Sequence, residues 1–147
     1  MLRDVMDIID FLDNSSNSAE AFAGFLPDGP HSVEISPFES DLGTTDFIKI
    51  LFPGSSGKSG GGDAPTTGII GSNGGLRLPG PYPGLASDAD GCIVGLITAL
   101  RLARMHTRGQ QLTGDILVST HICQQARPVP HDPYPFVMSP LPSSEKH

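Results

Sequence analysis

The sequence predicts an α/β fold: a small mixed, partly parallel sheet with a βαβ crossover and flanking helices. Three observations predict it. Apolar residues near the N-terminus and across 91–108 recur every three or four positions, the spacing of helices that bury one face. Short runs at 33–35, 45–52, 69–70 and 116–118 are rich in β-branched and aromatic residues and bounded by Gly, Pro or polar residues, as strands are. A helix long enough to serve as a crossover separates the last two of these runs, which are therefore expected to be parallel neighbours.

In chain order, Leu2, Val5, Ile9 and Leu12 form the apolar stripe of a first helix, with Asp7, Asp10 and Asp13 turned away from it. Asn14-Ser15-Ser16-Asn17 ends that helix, and Asn17 followed by Glu20 has the form of a capping box opening a short second helix through Phe25. Pro27-Asp28-Gly29-Pro30 is a turn. Val33 and Ile35 alternate with Ser32, Glu34 and Ser36 in a half-buried strand, and Thr45 to Phe52 is a stronger one. Residues 54–62 hold five glycines and three serines, the composition of a flexible loop. Thr67 to Gly71 is a short Gly-flanked strand. A helix over 91–108 follows, with Asp88 or Asp90 at its N-cap position, Arg101, Arg104 and Arg108 near its negative end, and Gly109 placed to end it. Asp115 to Ser119 reads as a buried strand. These elements make one α/β domain over 1–127, and the prolines from Pro128 onwards predict an irregular tail over 128–147.

Composition bounds the function. Of 147 residues, 18 are Gly and 14 are Pro, aromatics are 6%, and there is no Trp, a composition that fits half a domain missing the partner that would cover its sheet. The formal net charge of −7 is concentrated in residues 1–50, where ten acids face Arg3 and Lys49. With no run of clustered bases, nucleic acid is not an expected partner. No apolar run reaches the ~20 residues of a membrane-spanning helix. Cys92 and Cys123 are the only cysteines, too few for a disulfide framework, and Met1-Leu2-Arg3-Asp4 lacks the basic n-region and long apolar core expected of a secretory signal. A reduced, cytoplasmic protein is expected, with both thiols as small core residues.

Three segments carry candidate chemistry. Gly57-Lys58-Ser59 has the ending of a phosphate-binding loop, but that motif needs a glycine at position 52, where Phe stands, and a helix where Gly60-Gly61-Gly62 follows. No nucleotide is expected. Ser87-Asp88-Ala89-Asp90-Gly91 places two carboxylates two residues apart before a helix; they are either ligands for a hard cation or a helix cap and its electrostatic complement. Thr120-His121-Ile122-Cys123 and Pro130-His131-Asp132-Pro133 follow the last strand and supply imidazole, thiolate and carboxylate, the ligand types zinc selects, while His131-Asp132 reads equally as an acid/base pair or a turn. In parallel sheets ligands bind off the carboxyl ends of strands, so Asp88, Asp90, His121 and His131 are expected along one sheet edge.

The blocks Thr44-Thr45-Asp46-Phe47-Ile48-Lys49-Ile50, Gly61-Gly62-Asp63-Ala64-Pro65-Thr66, Gly68-Ile69-Ile70-Gly71, Ser87-Asp88-Ala89-Asp90-Gly91 and Thr120-His121-Ile122-Cys123 through Pro130-His131-Asp132-Pro133 together resemble an uncharacterised family, domain of unknown function 1177. The resemblance implies that the chain corresponds to the N-terminal half of longer family members and is an incomplete domain. A fainter likeness is to co-catalytic zinc aminopeptidases, through Asp88 or Asp90, Gly91 and the helix that follows; this chain has Gly71-Ser72-Asn73 where their ligand His is expected and Ser119-Thr120-His121 in place of their Glu pair.

The expected function is that of a metal-dependent, hydrolase-like (peptidase-like) enzyme. In it Asp88, Asp90 and His121 hold a divalent ion, zinc or manganese, while His131 and Asp132 act in proton transfer. The alternative is a non-catalytic protein that binds a small ligand or assembles as a homo-oligomer, or an inactive truncated chain.

Overall fold

The computed structural model describes residues 2–14, 18–40, 43–73, 76, 85, 89–123, 127–133 and 136–138. Helices α1 (Leu2–Asp13) and α2 (Ala19–Phe25) precede strands β1 (Ser32–Ser40), β2 (Gly43–Phe52) and β3 (Thr67–Ile70). Helix α3 (Asp90–His106) leads to β4 (Ile116–Ile122), and two short strands follow, β5 (Arg127–Val129) and β6 (Phe136–Met138). The main sheet is open and mixed, in the order β1-β2-β4-β3. β1 and β2 form an antiparallel pair, β2 runs antiparallel to β4, and β3 runs parallel to β4 with Ile69 opposite Val118. The β3–α3–β4 crossover and the mixed sheet therefore stand as the sequence predicts.

Strand alternation decides which side chains meet the helices. Ile48, Ile50 and Phe52 of β2 and Val118 and Ile122 of β4 are buried with Cys92, Leu96, Ala99, Leu100 and Ala103 of α3. α3 lies across β4, α1 packs on α3, and α2 contacts β1 and β2. Phe11, Phe22 and Phe25 close the junction of α1 and α2, with ring centroids 5.5–6.3 Å apart. Phe11 and Phe22 carry the two helices into the hydrophobic core.

Four elements depart from the sequence reading, each for a physical reason. The buried face of α1 is Asp4, Ile8, Phe11 and Leu12, whereas Leu2 is 76% exposed. The helix is rotated so that Asp4 reaches α3, where Arg101 Nη1 donates to it at 2.6 Å and Arg104 Nη1 also donates. The cap of α2 is Ser18 and not Asn17, which lies outside the described residues; Ser18 Oγ accepts from the Ala21 amide at 3.3 Å and donates to Glu20 Oε2 at 2.7 Å. The tail is not wholly irregular, since β5 and β6 pair antiparallel, with Pro128 opposite Val137 and a cis peptide between Asp132 and Pro133 in the connection.

The fourth departure is the largest. Residues 54–62 are not a loose loop but a cradle around the buried carboxylate of Asp115, which is 1% exposed. The Gly54 and Ser59 amides donate to it at 2.9 Å each, Ser59 Oγ donates at 2.8 Å and Thr66 Oγ1 at 3.4 Å. The amides of Ser55 and Ser56 donate to the carbonyls of Leu112 and Thr113, and a short 3-10 turn spans Lys58–Gly60. A Cβ at Gly57 would collide with the Asp115 side chain, so the glycine there makes room for the anion. The amides curl around an anion as in a phosphate-binding nest, but here the chain supplies the anion. These hydrogen bonds hold the Asp115 carboxyl below its ordinary range, the Gly54 amide contributing most.

Candidate functional site

The carboxyl ends of β3 and β4 lie side by side, because the two strands are parallel neighbours. The Gly71 amide extends the ladder by one bond, donating to Ser119 O at 2.8 Å. The chain then passes directly beneath the start of α3. A Cβ at Gly71 would collide with the Gly91 carbonyl, and one at Gly91 would collide with the backbone of Ser72, so the strand exit and the helix start touch backbone to backbone. That close approach brings Asn73 against β4, where it forms a reciprocal brace. Asn73 Nδ2 donates to the His121 carbonyl at 2.7 Å, and His121 Nε2 lies 3.0 Å from the Asn73 carbonyl. A carbonyl can only accept, so His121 carries its proton on Nε2 in this contact.

His121 is 2% exposed, and its ring centroid lies 5.7 Å from that of Phe47, its register partner on β2, with the rings tilted by 51°. The preceding residue, Thr120, faces the other way: its side chain lies under Gly95 of α3. His121 therefore occupies the sheet face remote from α3. Thr120, Cys92 and Asn73 gather instead beneath the first turns of the helix. Burial pushes the Cys92 thiol up to about 11, with the neighbouring Thr120 hydroxyl and Asn73 amide pulling the other way. A thiol held in its protonated form is a poor nucleophile. Cys123 is buried too, with its thiol 3.8 Å from Thr44 O. Among the described residues, Asn73 Oδ1 and Thr120 Oγ1 are buried with no hydrogen-bond partner, as is Thr45 Oγ1.

Of the four remaining sequence candidates, the structure describes Asp90, His131 and Asp132. Asp88 lies outside the described residues. Asp90 is exposed in the first turn of α3, where its charge suits the positive end of the helix. The N-cap position is occupied by Ala89, which makes no side-chain cap, so Asp90 complements the helix dipole without capping it. His131 and Asp132 are exposed in the connection between β5 and β6. Among the described residues, no three His, Cys, Asp or Glu side chains are grouped to hold a metal ion. No described helix is long and apolar enough to cross a membrane.

The sequence reading passed over Asn73 and Thr120 because neither type announces chemistry alone. Their signal was positional: Asn73 follows the Gly71 strand exit, and Thr120 is the last inward-facing residue before His121.

A family described as protein of unknown function (DUF1177) matches residues 36–147. The chain belongs to that family. The match takes in the sheet from within β1 onwards, α3, the Asp115 cradle and the β3–β4 edge, while α1, α2 and the start of β1 precede it. It lends no support to the likeness to co-catalytic zinc aminopeptidases. Comparison with curated proteins finds no match.

Proposed function

We propose that this DUF1177 protein binds a small, polar, uncharged ligand at the carboxyl ends of β3 and β4. The observation that carries this reading is the pair of buried, unpartnered polar atoms, Asn73 Oδ1 and Thr120 Oγ1, beside the Cys92 thiol. A buried acceptor or hydroxyl without a partner costs about 1–3 kcal/mol. A ligand offering a donor to Asn73 and an acceptor or donor to Thr120 would remove that cost on binding. The protonated thiol and the proton-bearing Nε2 of His121 favour recognition over nucleophilic chemistry.

A metal-dependent, hydrolase-like activity is the second reading. Asp90, exposed at the helix start and two residues after Asp88, favours it. His121 would join such a site only by giving up the Asn73 brace, and His131 and Asp132 would then serve in proton transfer.

One set of titrations separates the two. Amide resonances of uniformly labelled protein are followed while neutral polyols, amides and sugars are added, and separately ZnCl2 or MnCl2. Ligand binding predicts shifts at Asn73, Cys92 and Thr120 with a neutral compound, and a roughly tenfold loss of affinity in Thr120→Val. The same variant should be slightly more stable when unliganded, since it removes an orphaned hydroxyl. If no neutral compound perturbs these residues, the reading is wrong. A saturable response to Zn²⁺ or Mn²⁺ that disappears in Asp90→Asn would replace it with the metal reading.

A further inference from the structure

At the other end of α3, four arginines converge on one cleft. Arg101, Arg104 and Arg108 follow one another along the helix and the turn after it, and Arg3 comes from α1. With Asp4 and Met105 they line a polar cavity of about 490 Å³. Asp4 accepts from Arg101 Nη1 at 2.6 Å and from Arg104 Nη1, and Asp7 Oδ2 lies 3.3 Å from Arg104 Nη2. Among the described residues, neither Arg3 nor Arg108 has a carboxylate within ion-pair distance. Among the described residues, two acids thus face four guanidinium groups, in a chain whose net charge is −7.

From this geometry we infer that the α1–α3 cleft is a binding site for a small multivalent oxyanion, a diphosphate or a tricarboxylate. Three features support the inference. The cavity falls in the size range of small-molecule sites. Its lining offers planar, forked donors that match paired phosphate or carboxylate oxygens. The uncompensated guanidinium charge is self-repelling, so an anion is stabilised by the groups it separates. Asp4 has a positioning role: it is buried, and it ties Arg101 and Arg104 to α1 so that the helices hold their arginines around one space. The negative end of the helix dipole opposes an anion here, but at about half a charge it is smaller than the surplus of two guanidinium groups. This site is separate from the β3–β4 edge, and neither reading depends on the other.

Isothermal titration of the full chain with pyrophosphate and with citrate, at constant ionic strength adjusted with NaCl, tests it. Saturable binding of at least one of them is expected. Arg3→Gln and Arg108→Gln, which leave the Asp4 contacts intact, should each weaken it roughly tenfold, and the double variant should abolish it. Pyrophosphate binding alone would assign the site to phosphate, and citrate binding alone would assign it to carboxylate; either supports the inference. Absence of binding to both, or binding that survives unchanged in the double variant, would overturn it. Circular dichroism of the variants confirms that any loss occurs in folded protein.

Discussion

Asp115 and Asp4 are both buried carboxylates that tie distant parts of the chain together, yet the protein holds them by opposite means. Asp115 is gripped by amides and hydroxyls of the 54–66 segment, all of them uncharged. Asp4 is gripped by Arg101 and Arg104, whose side chains remain 49% and 35% exposed. Neutral donors can surround one anion without repelling each other, so they close around Asp115 and add no positive charge of their own. Guanidinium groups overshoot: drawing enough of them around Asp4 leaves a surplus and an open cleft. A carboxylate held by backbone is an element of architecture, whereas one held by arginines is also the edge of an electrostatic site.

The sharpest way to break this contrast is to remove Asp115. Asp115→Ala strands the donors of the cradle and should lower Tm by roughly 10 °C, the largest effect predicted here. Its folded pKa lies below the ordinary 3.8, chiefly through the Gly54 and Ser59 amides. The stabilisation is therefore complete above about pH 5 and is lost as pH falls through 3.8 towards the folded value. Thermal melts from pH 2.5 to 7 should show that acid limb in the native chain and a flatter one in Asp115→Asn. An equally steep limb in the variant would place the acid sensitivity elsewhere.

Gly57→Ala comes next, at about 2–3 kcal/mol in urea unfolding, because the new methyl group competes with the Asp115 carboxylate for the same space. Gly60→Ala, where a Cβ meets nothing within 4 Å, is the matched control and should stay within about 0.5 kcal/mol. Comparable losses in both would mean that the cradle tolerates no change in backbone entropy, and that steric room for the anion is not what matters.

The smallest effect belongs to Asp4→Asn. Burial raises the pKa of this carboxyl, but the N-terminal ammonium first, then the hydrogen bond from Arg101 and the charge of Arg104, more than offset it, so the net shift is downward. With both arginines partly in solvent, the loss should be about 1 kcal/mol. It should shrink further in 1 M NaCl, where the screening length falls from about 10 to about 3 Å. The loss from Asp115→Asn should be unchanged by salt. Equal salt dependence would erase the distinction between the two carboxylates.

The features legible in the sequence are those encoded locally. Alternation in β1 and β2, the 3.6-residue spacing of α3 and the crossover length fixed the mixed sheet without knowledge of distant contacts. The illegible ones depend on partners far away in the chain. Glycines and serines at 54–62 have the composition of a loose loop, and only Asp115, 61 residues beyond Gly54, reveals an ordered cradle. Arg101 and Arg104 suit a helix C-terminus, and only Asp4, 97 residues from Arg101, turns them into a cleft wall. At the candidate site, parallel strands brought the two carboxyl ends together as expected. Which face each residue takes was a matter of register: one step along β4 separates Thr120 under α3 from His121 against Phe47.

The Asp115 cradle also bears on synthesis from the ribosome. The cradle segment is made well before its anion, and β2 well before β4, its antiparallel partner in the sheet interior. A nascent chain that has reached residue 110 has its first hairpin and all three helices in sequence, but nothing around which the glycine segment can close. Emergence of Asp115 supplies that carboxylate, and its carbonyl at the same time accepts from the Thr67 amide, setting β3 beside β4. One residue thus acts as a late latch, coupling the ordering of a glycine-rich segment to the arrival of the strand that completes the sheet.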